Sequence, residues 1–124
     1  MRLRAIEPPR RFPLGRNDIV ISHVAEAALE ADEQLTLVSH RGSEWDIVRK
    51  DWGYYATPSL NGRLSQHGLR AVLVRNAERR LYLLLVERGA EAAFEAYRGR
   101  ESLELIHWLD DDEACERAAT LLAG

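Results

Sequence analysis

The chain has 124 residues, 46% hydrophobic and 30% charged, with a net charge of −3 and a single cysteine. One cysteine excludes an internal disulfide and a cysteine-built zinc site within one chain. The acidic balance disfavours non-specific nucleic-acid binding, which needs a basic footprint, and no stretch approaches the roughly 18 apolar residues of a membrane-spanning helix.

This length corresponds to one domain, able to bury about two-thirds of its unfolded surface in a core of its own. The apolar fraction is enough to offset chain entropy, so disorder is not expected. The N-terminal run MRLRAIEPPRRFPLG lacks the apolar stretch of a secretory signal, and together with the lone cysteine this leads to the expectation of a reducing cytoplasm. The preference for Arg and Ala over Lys and Ile fits a GC-rich bacterial gene.

Residues 1–16 read as an extended basic arm. Five arginines (Arg2, Arg4, Arg10, Arg11, Arg16) stand against Glu7, and Pro8, Pro9, Pro13 and Gly15 predict extended coil, because proline fixes φ and removes a backbone donor. The arm either packs on its own acidic domain or reaches a polyanion or partner. The remainder, 17–124, reads as a single α+β domain.

Ile19-Val20-Ile21 predicts a strand over 18–24, while 25–31 fit both strand alternation and a helical stripe. Gln34 to Ser39 and Glu44 to Lys50 follow as strands around an Arg41-Gly42-Ser43 turn, with Tyr54 to Thr57 continuing after a kink at Gly53. Residues 58–68 form a polar loop in which Asn61-Gly62 signals a tight turn, since both tolerate positive φ.

Leu69 to Val74 and Leu81 to Val86 form a hairpin. LYLLLV is apolar on both faces, which predicts a central strand. A short helix follows Gly89 with Ala90, Ala93, Phe94 and Tyr97 on one stripe and Gly99 as a left-handed cap. Leu103 to Leu109 is the last strand, with which the preceding strand and helix could make one parallel pair. Asp110 and Glu113 suggest the cap of a C-terminal helix whose buried stripe is Cys115, Ala118, Ala119 and Leu122. The expected architecture is α+β: an antiparallel or mixed sheet of five to seven strands with two short helices near the C-terminus.

The densest chemistry lies in 49–63, RKDWGYYATPSLNGR. Lys50, Asp51, Trp52, Tyr54, Tyr55, Ser59, Asn61 and Arg63 combine flat aromatic faces with directional hydrogen-bonding groups. That mixture suits a sugar, nucleotide or nucleotide-sugar ligand, whose ring stacks while its hydroxyls or phosphates meet the polar groups. The same residues fit a hairpin with core aromatics and ordinary turn residues.

His23, His40, His67 and His107 match no metal spacing, and no metal or cofactor is expected. His23 or His40, oriented by Asp51, are the candidates for acid–base catalysis. GxSxG, GxGxxG and the P-loop pattern are absent from the sequence, and Cys115 reads as an inert helix-face thiol. Three functions therefore stand open: a small polar ligand-binding domain, an enzyme using the same pocket, and an interaction or homo-oligomerisation module, with a dimer as the expected assembly.

Overall fold

The computed structural model describes residues 1–14 and 19–124, so Gly15, Arg16 and the expected strand start at Asp18 lie outside the described residues. Within them the fold is mixed α+β, but the expected single sheet of five to seven strands is overturned. Eight strands form three small sheets of two, three and three strands.

The first sheet is a ribbon of β1 (Arg2–Leu14) and β2 (Ile19–Ala28), paired antiparallel. The arm expected as coil is thus a paired strand. Two of its three prolines are accommodated by a register break: between the pairs Ala5–Ala25 and Arg10–His23, four residues of β1 face one of β2, while Pro13 pairs with Val20. Pro8 and Pro9 sit in that break, where no ladder donor is required of them. Strand alternation wins through Ala28, which settles the part of 25–31 that the sequence leaves open.

The second sheet runs β3 (Gln34–Val38), β4 (Glu44–Lys50), β5 (Gly53–Thr57), all antiparallel. A 3-10 turn at Arg63–His67 then redirects the chain. Asn61-Gly62 does not use positive φ: Gly62 has φ −120°. A Cβ there would lie 2.5 Å from Ser59 Oγ, so a larger residue would displace that hydroxyl.

The third sheet has the order β7-β6-β8, with β6 (Leu69–Arg75) in the centre between β7 (Leu81–Glu87) and β8 (Glu104–Trp108). LYLLLV is therefore an edge strand, not a central one. Layers above and below cover its second half, while Leu81, Tyr82 and Leu83 are exposed. Val86 packs with Val72, Val74 and Phe94 on one face. Leu85 packs on the other with Leu64, Leu69, Ala71 and Trp45. Leu64, on the 3-10 turn, is fully buried and joins the second sheet to the third.

Helix α1 (Glu91–Arg100) carries the chain from β7 across β6 to β8. Both flanking strands run antiparallel to β6, so the expected parallel pair does not form; one strand lies between them. Gly99 is inside the helix, and the positive φ falls on Ser102, at 54°. Phe94 is the buried residue of α1, edge-on to Trp108 with ring centroids 5.8 Å apart.

Helix α2 (Asp112–Leu122) is capped by Asp111, not Asp110: Asp111 Oδ1 accepts the Ala114 N–H at 2.7 Å. Its buried contact is Ala114, with Cys115 and Ala118 half-buried. The expected stripe fails beyond them, because Ala119 and Leu122 are exposed. No helix among the described residues is long and apolar enough to cross a membrane.

Candidate functional site

The eight residues singled out from 49–63 divide into two groups. Lys50, Asp51, Trp52, Tyr54 and Tyr55 belong to the β4–β5 hairpin. The pairing of Lys50 with Gly53 leaves Asp51 and Trp52 as a two-residue turn. Gly53 takes φ 149°, a conformation that side chains resist, and this keeps the turn tight.

Register puts Arg49 opposite Tyr54, hence on the same face, and the guanidinium lies 5.1 Å from the ring centroid. It also donates to the Lys50 carbonyl and, at 3.0 Å, to the Gly53 carbonyl. Lys50 Nζ donates to Asp32 Oδ1 at 2.5 Å, and this hydrogen bond raises the ammonium pKa. Trp52 is 69% exposed, and Tyr54 and Tyr55 are exposed as well. These rings stand in solvent instead of closing a core.

Ser59, Asn61 and Arg63 belong to the loop. Ser59 Oγ accepts the Arg63 N–H at 3.3 Å, and Asn61 Nδ2 donates to Asp112 Oδ1 at 3.0 Å. Their polar groups hold the loop and tie it to the start of α2. Pro58 and Leu64 from this stretch are buried, with Leu60 packed against the same core.

The histidines sit on four separate elements. His23 is on β2, half-buried in the ribbon. His40 is exposed in the β3–β4 turn. His67 Nδ1 lies 3.7 Å from Glu44 Oε2, and His107 Nε2 lies 3.3 Å from the Ala114 carbonyl. Among the described residues neither His23 nor His40 hydrogen-bonds or ion-pairs with Asp51, and no group of three His, Cys, Asp or Glu is placed to hold a metal. Cys115 Sγ donates to the Leu109 carbonyl at 3.3 Å; burial, then the charges of Asp111 and its acidic neighbours, push the thiol pKa up, which keeps thiolate scarce.

Two polar clusters escape sequence reasoning, because their members are some 40 residues apart and share no spacing. In one, Arg70 Nε donates to Asp110 Oδ2 at 2.6 Å, its guanidinium lies 3.9 Å from the Trp108 ring centroid, and Glu91 is 3.5 Å away. The bond to Asp110 raises the Arg70 pKa. Backbone N–H groups at the start of α1, then Arg70, lower that of Glu91. In the other, Ser43 Oγ donates to Glu87 Oε1 at 3.0 Å and lies 2.9 Å from Ser39 Oγ, with Arg41 Nε at 3.5 Å from Glu87. Hydrogen bonding by Ser39, then by Ser43, lowers the Glu87 pKa. This cluster fastens the β3–β4 turn to β7.

A cleft of about 510 Å³ lies between the end of β1, the β6–β7 turn and the junction of α1 with β8. Leu14, Val74, Tyr82, Leu84, Tyr97 and Leu103 form its apolar wall, with Asn76, Glu78 and Glu101 at polar positions. None of the eight sequence-selected residues lines it.

The larger feature is apolar surface. Leu3, Val20 and Val24 on the ribbon, Leu37 and Val38 on β3, and Leu81, Tyr82 and Leu83 on β7 are all exposed. The chain presents 8881 Å² to solvent at 14.1 kDa. A compact monomer of that mass presents about 6,700 Å². The surplus is about 2,100 Å², against about 800 Å² that each partner contributes to a standard interface.

No protein-family model, curated protein or solved structure matches this chain.

Proposed function

We propose that this chain is a protein-interaction module whose working surfaces are its open sheet edges and the apolar side chains beside them. The surplus of exposed surface carries this reading. Open edges are ready templates for strand pairing, and large apolar patches on a folded protein are characteristic of association sites.

Small-angle scattering extrapolated to zero concentration tests it, alongside binding of an environment-sensitive hydrophobic dye to protein with intact near-ultraviolet circular dichroism. A folded chain with open edges binds dye and has a radius of gyration above the roughly 14 Å of a compact chain this length. A radius near 14 Å with no dye bound would defeat the proposal.

A second reading keeps the β4–β5 hairpin as a binding site for a sugar, nucleotide or nucleotide sugar. The exposure of Trp52 and Tyr55 beside Lys50 and Asp51 favours it, since exposed aromatic faces can stack on a ring. A thermal-shift screen against those compound classes tests it. A hit in one class, lost in Trp52→Ala, supports the reading, and no shift with any compound removes it. Acid–base catalysis by His23 or His40 would require a rearrangement that brings Asp51 to either ring.

A further inference from the structure

Among the described residues β7 differs from β8 and β3 in lacking a register break and interleaved polar residues, and at seven residues it is longer than β5, a five-residue edge also without charge or proline. β8, on the opposite side of the same sheet, breaks register with β6 between Leu73 and Val74 and carries Glu104 and His107. β3 alternates polar Gln34 and Thr36 with its apolar residues. Bulges and charges of this kind are how sheet edges avoid unwanted partners.

β7 has neither over its first six residues. LYLLLV contains no charge and no proline, and its register with β6 runs unbroken from Leu81 to Glu87. Among the described residues β6 is its one hydrogen-bonded strand neighbour, with Leu14 at the end of β1 sharing a cleft with Tyr82 and Leu84. Leu81, Tyr82 and Leu83 are 61%, 49% and 48% exposed.

Resting on the interaction-module reading, we infer that the partner of this edge is a second copy of the chain, joined β7 to β7 about a two-fold axis into one continuous six-stranded sheet. The strand is self-complementary. A two-fold axis at Leu83 sets Leu81 opposite Leu85 and Tyr82 opposite Leu84, and directs Arg79 of the turn toward Glu87. Shifting the axis to Leu84 would set Arg80 against Arg88. The two registers overlap five apolar residues each, and the Leu83 register avoids that repulsion.

Sedimentation velocity over a concentration series, with amide exchange on the same samples, tests the inference. Wild type should be a dimer that dissociates on dilution. Leu83→Lys and Leu83→Glu should each raise the dissociation constant at least about tenfold by placing like charges together at the axis, and mixing the two variants should restore association. Leu37→Lys on β3 should leave the dimer unchanged, and Leu81→Lys replaces Leu83→Lys if the latter fails to fold.

A dimer untouched by the β7 variants, or no rescue on mixing, overturns the pairing. A monomer at all concentrations with fast-exchanging β7 amides overturns the second copy as partner while leaving an open edge for another protein. A monomer with protected β7 amides defeats the interaction-module reading as well.

Discussion

Replacing Trp52 by alanine separates display from packing at the β4–β5 hairpin. A tryptophan side chain offers roughly 200 Å² of surface. With 69% of the residue already in solvent, folding removes only about 60 Å² from water. At about 25 cal/mol/Å² this amounts to at most about 1.5 kcal/mol, an upper bound because the unfolded chain also covers part of the ring. Leu64→Ala provides the contrast: Leu64 is fully buried between the second and third sheets, and such truncations cost about 3–5 kcal/mol. Urea unfolding of the two variants, analysed at constant m-value, measures the difference. Trp52→Ala should shift the midpoint by well under half as much as Leu64→Ala and leave the far-ultraviolet spectrum intact. A loss of about 3 kcal/mol or more from Trp52→Ala would show that the ring is packed, and would refute both its exposure and any binding role built on it.

Asp111→Ala should cost about 1 kcal/mol and speed exchange of the Ala114 amide, since it removes the 2.7 Å cap of α2; Asp110→Ala should leave that amide unchanged. Arg70→Lys should cost about 1–3 kcal/mol and shift Trp108 emission, because an ammonium cannot keep both the planar stack and the bond to Asp110; a neutral result would show that the guanidinium plane is not used. Glu87 has its folded pKa held below its ordinary 4.5, first by Ser39 and then by Ser43 and Arg41. Its contribution to stability is therefore complete above 4.5 and is lost as pH falls below it through the folded value. Thermal melts of Glu87→Gln should start lower at neutral pH and fall less steeply on acidification than those of wild type; parallel curves would exclude the linkage.

Local chemistry was legible in the sequence wherever neighbouring residues decide the outcome. The β3–β4 and β6–β7 hairpins follow from β-branched and aromatic runs separated by turn residues, and Asn76 closes the second turn by accepting the Glu78 and Arg80 N–H groups. The acidic run 110–113 correctly announced the start of a helix, although the cap itself is Asp111. The β1–β2 ribbon is not legible because prolines argue against a ladder, and only pairing with β2 shows that Pro8 and Pro9 fall in a register break.

Tertiary structure alone decided three further things: the division into three sheets, the two polar clusters, and the position of β7. Side-chain periodicity reports which faces of a strand are covered, and both faces of β7 are covered only over Leu84 to Val86. Whether a strand is central or at an edge depends on backbone groups in the perpendicular direction, which every residue carries alike, so an apolar run without charge or proline does not encode it. The same applies to Trp52 at the hairpin tip. Its identity states that it can bury a ring, and only the placement of the neighbouring elements leaves that ring in solvent.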